Sequence, residues 1–312
     1  MIDDQLIVLS RDTKITKKTT SLKTWKSSWK KKGKAERIIL WIMLAIFCIY
    51  GFTLIFPVVW ALINSFKPVR EFNEIDKFGF PINPTLDNYK AVMGDLSSAG
   101  LNIFESIWNS IWMSTLSTLL GLVASSLTSY VVAKYRFKMS GFIYAVVIFV
   151  QVIPLVGGIT GMYKLIHDTL GIANNPLLIW PIWFGGFGFS FLMLYSAFKS
   201  VPWSYAESAF IDGAGHFTTF VKIMLPSIKP VLASLFIVNF IGAWNDYMTA
   251  YLYMNDYSPL ALTVYTLQQD ASRAGIPVYL AVLCISIIPP LILFICFQKL
   301  IMENTTAGGL KG

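Results

Sequence analysis

The chain has 312 residues, of which 55% are apolar and only 13% are charged, and its formal net charge is +8. Soluble domains carry about 25% charged residues, so this composition indicates a membrane protein. The cysteines, Cys48, Cys284 and Cys296, lie within apolar runs without metal or disulfide spacing, and His167 and His216 are isolated, so no metal site is expected.

Residues 1–35 are predicted to form a basic cytoplasmic tail, partly disordered or a helix on the membrane surface. Eleven lysines and arginines lie between Arg11 and Arg37, immediately before the first apolar segment. Basic residues beside a span stay in the cytoplasm and attract anionic lipid, so this charge indicates a membrane partner and not a nucleic acid. The apolar segment starts too late for a cleavable signal peptide.

Six apolar segments are predicted to cross the membrane, which makes the chain an all-α, polytopic membrane protein. The segments are Ile38–Phe66, Ile107–Ala133, Gly141–Tyr163, Leu177–Phe198, Val231–Tyr253 and Val278–Leu300. Each is longer than the roughly 20 residues that a helix needs to cross the bilayer. The membrane domain is expected to cover residues 36–302, and residues 303–312 are expected to form a cytoplasmic C-terminal tail.

The second apolar segment carries a stripe of small residues at helical spacing. They are Ser114, Thr118, Gly121, Ser125 and Ser129. Within a membrane such a stripe lets neighbouring helices approach closely, so its expected role is packing and not chemistry.

The stretch 203–230 lies between the fourth and fifth apolar segments but is itself polar. It predicts two short helices separated by a left-handed turn at Gly213 and Gly215, with Ser204 and Glu207 as a capping box on the first helix. A small apolar face is expected along that helix, formed by Ala206, Ala209, Phe210 and Gly213. Such a face, exposed at the end of a span, would fit a groove on a soluble partner.

The fifth apolar segment contains a polar cluster. Its members are Asn239, Trp244, Asn245, Asp246 and Tyr247. A charge in lipid costs about 2.5–3.5 kcal/mol on insertion scales, so Asp246 should face a polar cavity, pair with another group or lie at the outer interface. Residues 239, 243, 246 and 247 are predicted to share one helical face, where amide, carboxylate and aromatic groups together could bind a sugar. The alternative is an aromatic belt that caps the outer end of the span.

The distribution of basic residues predicts the topology. With six spans and both termini inside, 19 lysines and arginines lie in the cytoplasm and 6 lie outside. This bias agrees with the positive-inside rule and places the stretch 203–230 in the cytoplasm.

The stretch 203–230 also resembles the "EAA…DGA…I-LP" loop of the permease subunits of ABC importers. The matching residues are Glu207, Ala209, Asp212, Gly213, Ala214, Ile223, Leu225 and Pro226, while Ser208 replaces the second residue of the usual Glu-Ala-Ala. The phrases at 83–89 (NPTLDNY) and 244–247 (WNDY), and the end at 307–312 (AGGLKG), resemble carbohydrate permeases of the maltose type. The resemblance covers residues 38–312.

The resemblance implies the six-helix fold of type I importer permeases, in a bacterial inner membrane, with a cytoplasmic coupling helix. Six residues would then dock the ATPase, with Glu207 as a polar anchor: Glu207, Ser208, Ala209, Asp212, Gly213 and Ala214. Three residues of the C-terminal tail would also contact the ATPase: Gly308, Gly309 and Lys311. The implied partners are a second, homologous permease, two ATP-binding cassette subunits and an extracellular solute-binding protein.

The chain has no G-x-x-x-x-G-K-[ST] loop and no catalytic triad, so it is not expected to be an enzyme or to bind a cofactor itself. ATP and Mg²⁺ are expected on the partner ATPase. The predicted function is uptake of a sugar or oligosaccharide, with Asn239 and residues 244–247 along the path. A polyol or glycerol phosphate is an alternative solute. A secondary transporter, which would need inverted repeats, and a structural or lipid-binding membrane protein are less favoured alternatives.

Overall fold

The computed structural model describes residues 33–94, 102–153, 158–176, 183, 185–269 and 275–307, with side chains as far as residue 298. The described residues are largely helical and include no β-strand. The helices are α1 Lys34–Ser65, α2 Val69–Glu74, α3 Asp87–Met93, α4 Ile103–Lys134, α5 Ser140–Val152, α6 Gly158–Lys164, α7 Phe189–Ser200, α8 Ser204–Ile211, α9 His216–Thr219, α10 Leu225–Ser227, α11 Lys229–Trp244, α12 Met248–Tyr253, α13 Leu260–Gln269 and α14 Ile276–Ala307. Two π-helical turns, Leu165–Thr169 and Phe220–Met224, follow α6 and α9. The chain divides into two units, Met1–Trp60 and Ala61–Gly312, and the site described below lies within the second.

Several helices are long and apolar enough to cross a membrane. Among the described residues these are α1, α4 and the part of α14 from Ile276 to Gln298. A fourth span results if the bent pair His216–Ser227 and Lys229–Trp244 is counted as one. The prediction of an all-α, polytopic membrane protein is therefore confirmed. Helices α1, α4 and α14 are longer than the predicted spans, whereas α5, α7 and α11 are shorter than the predicted spans to which they belong.

The second unit is built around α4. This helix packs against α7 on one side and α11 on another, and α11 in turn packs against α14. The small residues of α4 are buried in these contacts, with Ser114, Ser125 and Ser129 no more than 2% exposed. Small side chains permit close helix packing in a membrane, as the spacing predicts. A Cβ at Gly121 would lie only 3.6 Å from the Trp183 carbonyl oxygen, which shows how near the neighbouring backbone comes.

The polar segment between α1 and α4 folds around buried charged groups. Lys67 is fully buried and donates from Nζ to the Asp76 carbonyl oxygen at 2.9 Å. The Glu71 carboxylate, 5% exposed, accepts hydrogen bonds from the backbone N–H groups of Ile82 at 2.8 Å and Asn83 at 3.2 Å. These bonds fix the loop on α2, because a buried carboxylate requires hydrogen-bond donors.

A second carboxylate organises the turn within this loop. Asp76 accepts from the backbone N–H groups of Phe78 at 2.8 Å and Gly79 at 2.7 Å. The Phe78 bond, foremost, holds the pKa of the Asp76 carboxyl below its ordinary value. The ionised Asp76 carboxylate therefore stabilises the turn at pH values above the ordinary pKa of an aspartate. This stabilisation is lost as the pH falls through the lowered pKa of Asp76.

Replacing Glu71 with alanine should destabilise this segment by about 1–3 kcal/mol, because two hydrogen bonds to a buried, charged acceptor are lost. Thermal unfolding in detergent and limited proteolysis of residues 75–86 measure the effect. Glu74→Ala is the matched control, since Glu74 is 61% exposed and pairs only with an exposed Arg70. An equal loss for both variants would contradict the role given to Glu71.

Candidate functional site

The stretch 203–230 is anchored to the helices by a cluster of aromatic rings. Tyr130 of α4 lies with its ring centroid 4.8 Å from that of Phe220 and 5.3 Å from that of Phe198. Phe198, Phe220 and Tyr130 are all no more than 6% exposed. Met224 and Ile228 join the same core. We call this set the inner cluster, and it packs the stretch directly against α4 and α7.

Polar contacts reinforce this anchorage at the end of α4. The Tyr135 hydroxyl hydrogen-bonds His216 Nδ1 at 2.8 Å, and the Tyr135 ring lies edge-on to Trp203, with centroids 5.8 Å apart. Lys134 Nζ donates to the Val201 carbonyl oxygen. Sequence reasoning missed these partners because they lie about 70–80 residues away in the chain, a separation that no local pattern reveals.

The caps of α8 differ in part from the prediction. The helix begins at Ser204, whose side chain caps no N–H group, and Trp203 occupies the N-cap position, so the predicted Ser204–Glu207 capping box is wrong. The C-terminal turn is as predicted at Gly213, where φ is +82°. There Gly213 N donates to the Phe210 oxygen and Ala214 N to the Ala209 oxygen, the paired bonds of a Schellman motif. Gly215 has an extended backbone, with φ −75° and ψ 165°, and is not left-handed.

The small face of α8 packs inward and is not free for a partner. Ala206 is fully buried in the inner cluster and Ala209 is 5% exposed. Ala209 therefore cannot contact another chain as predicted, because the chain's own side chains cover it. Three large side chains of the stretch are instead exposed: Tyr205 at 54%, Ile211 at 86% and, from α9, Phe217 at 74%, which also borders an apolar groove between α4 and α11.

Polar residues flank these three exposed side chains. Glu207, Ser208, Asp212 and Gly213 are exposed, and Ala214 is half-buried. We call Tyr205, Ile211, Phe217 and these flanking residues the docking face. Large apolar groups at such exposure, rimmed by polar ones, are typical of a protein interface. The sequence does contain a signal for such an interface, since Ile211 and Phe217 are large apolar residues within the polar stretch 203–230.

The stretch does not continue straight into α11. The axes of His216–Ser227 and Lys229–Trp244 meet at 78°. At the corner Ile228 leaves the helical conformation, with φ −109° and ψ 13°, and it is only 3% exposed. Pro230 has no backbone N–H group to donate, but Ile228 N donates to the Leu225 oxygen and the Ile228 oxygen accepts from Val231 N and Leu232 N. Backbone bonds and packing therefore hold the corner together.

The polar cluster of the fifth apolar segment is split by a helix end. Helix α11 stops at Trp244, so the prediction that residues 239, 243, 246 and 247 share one helical face is wrong. Asp246 is exposed and caps α12, accepting from Thr249 N at 3.1 Å and from Thr249 Oγ1 at 2.5 Å. Asp246 therefore lies outside the helical parts of the segment, and Thr249 supplies its carboxylate with two hydrogen-bond donors.

Trp244 has a structural role. It is 3% exposed, and its indole N–H donates to the Ser286 carbonyl oxygen of α14 at 3.1 Å. Asn245 and Tyr247 line a cavity of about 200 Å³ beside it. Tyr247 stacks on Tyr265 with ring centroids 4.4 Å apart.

Trp244→Phe should therefore lower stability by about 1–3 kcal/mol, because the Ser286 carbonyl loses its donor and the smaller ring fills less of the core, and it should leave solute selectivity unchanged. Thermal unfolding and a competition uptake assay test the two parts. Tyr247→Phe is the matched control, since it keeps the ring stack and its hydroxyl bonds no described residue. A change in selectivity with Trp244→Phe would instead assign this ring to the solute path.

Asn239 lies apart, beside a separate polar cavity between α4, α7 and α11. Its Nδ2 donates to Ser190 Oγ at 2.9 Å. The cavity has a volume of about 290 Å³, and its lining includes Ser117, Thr118 and Ser125. Of the five residues predicted along the solute path, the structure thus places Asn239 on one cavity, Trp244, Asn245 and Tyr247 on another, and Asp246 in a helix cap.

The remaining predicted positions give no further site. Gly308, Gly309 and Lys311 lie outside the described residues. Within the part of the chain that the structure describes, no three His, Cys, Asp or Glu side chains come close enough to hold a metal ion.

Comparison with known proteins identifies the family of this chain. Residues 117–305 match a family described as the binding-protein-dependent transport system inner membrane component. The chain belongs to this family. It is a transport permease and not an ATPase, and the matched region contains the inner cluster, the docking face and both cavities.

Curated relatives cover most of the permease. The sulfoquinovosyl glycerol transport system permease protein SmoH of Agrobacterium fabrum is 31% identical over 260 residues, which are 83% of this chain and 89% of that protein. The arabinooligosaccharides transport system permease protein AraQ of Halalkalibacterium halodurans is 29% identical over 285 residues, which are 90% of this chain and 100% of that protein.

A solved structure shares the permease fold. It is a chain of a bacterial ABC transporter that imports the acidic polysaccharide alginate, with a TM-score of 0.71 and 21% identity. The similarity covers 86% of this chain and 98% of that one.

Proposed function

We propose that this permease is a membrane subunit of an ATP-driven importer and that the stretch 203–230 transmits the movement of a partner ATPase to the spans. The exposed docking face carries the proposal. Ile211, 86% exposed, projects from a segment whose opposite side is locked into the inner cluster. A face that is apolar on the outside and fixed on the inside can both bind a partner and move the helices beneath it.

The proposed cycle uses this geometry. An ATPase seats α8 and α9 in a cleft, with Glu207 and Asp212 at its polar rim. When ATP and Mg²⁺ close the ATPase pair, the stretch moves and shifts α4, α7 and α11 between two packings. Ser208 and Gly213 permit close approach, whereas Ala209 stabilises α8 from beneath. Helix α8 thus serves as the coupling helix.

The proposed arrangement places both termini in the cytoplasm, with residues 1–35 as a basic tail, 36–302 as the membrane domain and 303–312 as a tail that reaches the ATPase. The bias of basic residues supports it. A second, homologous permease, two ATPase subunits and an extracellular solute-binding protein complete the assembly. The inner membrane description of the family supports a bacterial cell membrane.

The proposed substrate is a sugar or oligosaccharide. The curated relatives whose names state a substrate include transporters of arabinooligosaccharides, trehalose and maltose. A glycerol phosphate is disfavoured by the polar cavity, because no described residue that lines it carries a positive charge.

A sidedness and pull-down experiment tests the coupling role. Cys48, Cys284 and Cys296 are replaced by serine, Ile211→Cys is introduced, and an impermeant maleimide is applied to whole cells and to inside-out vesicles. We expect labelling only from the cytoplasmic side, and an ATPase chain that copurifies with the permease. Labelling from outside the cell, or purification of the permease without any ATPase, would refute the coupling role.

A further inference from the structure

The polar cavity between α4, α7 and α11 contains an unsatisfied hydroxyl group. Thr118 is only 3% exposed, and its Oγ1 has no hydrogen-bond partner among the described residues. Two other hydroxyls of the same helix are paired, since Thr128 donates to the Ala124 and Gly186 carbonyl oxygens, each at 2.8 Å, and Ser114 donates to the Ser110 oxygen. The Tyr130 hydroxyl is also buried without a partner among the described residues, but it lies in the apolar inner cluster and does not line the polar cavity. An orphaned buried hydroxyl costs about 1–3 kcal/mol, so Thr118 is an exception that requires an explanation.

The neighbouring backbone also indicates a wet cavity. The run Gly185–Gly188 borders the cavity and is not helical, although it falls within an apolar segment. At membrane depth, a non-helical backbone is tolerated only inside protein or beside water. Gly186 packs against α4, where an added Cβ would lie 3.2 Å from the Thr128 methyl carbon. Gly185 and Gly188 thus contribute non-helical backbone to the lining of the same cavity as Thr118.

The chemistry of the lining defines what could bind. It offers hydroxyl groups of Ser117, Ser125 and Ser190 and the amide of Asn239, and no charged residue among those described. Hydroxyl and amide groups both donate and accept hydrogen bonds, which suits a ligand rich in hydroxyls. An anion would lose its hydration without gaining a countercharge. A volume of about 290 Å³ is at the lower end of ligand cavities, enough for one small ring at a time.

We infer that this cavity is a binding site for an uncharged, hydroxyl-bearing solute unit, and that Thr118 is a specificity-determining residue that pairs with it. Threonine in a helix adopts either of two side-chain rotamers, so rotation about χ1 can present the hydroxyl to the cavity. The inference rests on the proposed function as an importer. It moves the solute contacts from Asp246 and Tyr247 to the residues around Asn239.

Accessibility provides the first arm of the test. Thr118→Cys and Ser114→Cys are made in a chain whose native cysteines are serine, and a hydrophilic, cationic methanethiosulfonate reagent is applied to the assembled transporter. We expect modification of Thr118→Cys and none of Ser114→Cys, which lies one turn away and off the cavity. An unreactive Thr118→Cys overturns the proposal, whether or not the complex transports anything.

Transport provides the second arm, with Thr118→Val. This change keeps the shape and removes an unpaired hydroxyl, so the unfolding temperature should not fall, whereas a structural hydroxyl would lower it when lost. In proteoliposomes with the ATPase and binding protein, we expect the KM for a neutral sugar such as maltose or raffinose to rise about three- to tenfold. An unchanged KM overturns the role of Thr118.

The substrate class is judged in the same vesicles by comparing neutral oligosaccharides with a uronate oligosaccharide of equal length. Preferential uptake of the uronate, or ATP hydrolysis without uptake of any neutral sugar, overturns the assignment of an uncharged ligand. Absence of ATPase from the complex would refute the proposed importer function instead, and the labelling arm would still decide whether the cavity is wet.

Discussion

An Ile211→Arg permease should insert and fold normally but should fail to retain its ATPase during purification. Ile211 is 86% exposed, so the substitution disturbs no packing within the chain. It places a charge at the centre of the docking face, where the partner must be desolvated. Residues at the centre of an interface contribute about 2 kcal/mol or more, so we expect association to weaken by at least about 30-fold.

Ser200→Arg is the matched control for this prediction. Ser200 is exposed at the end of α7, which leads to the stretch 203–230, and the variant adds the same charge outside the docking face. It should retain the ATPase. Quantitative pull-down and substrate-stimulated ATP hydrolysis measure both variants. If Ile211→Arg retained the ATPase as well as the wild type, the docking face would have to lie elsewhere.

Phe220→Ala should give the complementary result, in which the ATPase binds but its movement is lost. Phe220 is 6% exposed and packs on Tyr130 and Phe198 of the inner cluster. Removing a buried phenyl ring costs about 3–5 kcal/mol, because a cavity remains in its place. We expect the unfolding temperature to fall and uptake to be nearly abolished, while ATP hydrolysis continues without stimulation by the solute.

Phe217→Ala, three residues earlier, separates the two roles. This ring is 74% exposed and lies on the docking face, so its loss should weaken ATPase association and leave the unfolding temperature unchanged. Phe220→Ala should thus lower the unfolding temperature and keep the ATPase bound, whereas Phe217→Ala should weaken ATPase binding and leave the unfolding temperature unchanged. Equal destabilisation by both substitutions would mean that Phe217 packs within the chain, contrary to the structure.

The sequence identifies the segments that matter here but not which of their faces are free. Helical spacing correctly groups Ala206 with Ala209, yet spacing alone cannot show whether a small face is covered by its own chain or by a partner. In the structure the chain's own side chains cover this face, since Ala206 is fully buried. The left-handed Gly213 was predictable, because a Schellman turn needs a residue with positive φ and glycine adopts it without strain.

The solute site illustrates a different limit. The charged and aromatic residues at 244–247 predict a solute site from the sequence, but α11 ends at Trp244. Trp244 packs on α14, Asn245 and Tyr247 line a small cavity, and Asp246 caps α12. Thr118 belongs to a stripe of small residues whose predicted role is packing. That role holds for Ser114 and Ser129, and only the three-dimensional arrangement reveals that the Thr118 hydroxyl is buried without a partner among the described residues.

Under the proposed coupling role, the corner at Ile228 sets the direction in which a movement of the stretch 203–230 reaches α11. Because His216–Ser227 and Lys229–Trp244 meet at 78°, a push along the first would displace the second in a different direction. The backbone bonds of Ile228 and the packing of Met224 and Ile228, both nearly inaccessible to solvent, hold this corner. In that role, a smaller side chain at either position should lower the uptake obtained per ATP hydrolysed.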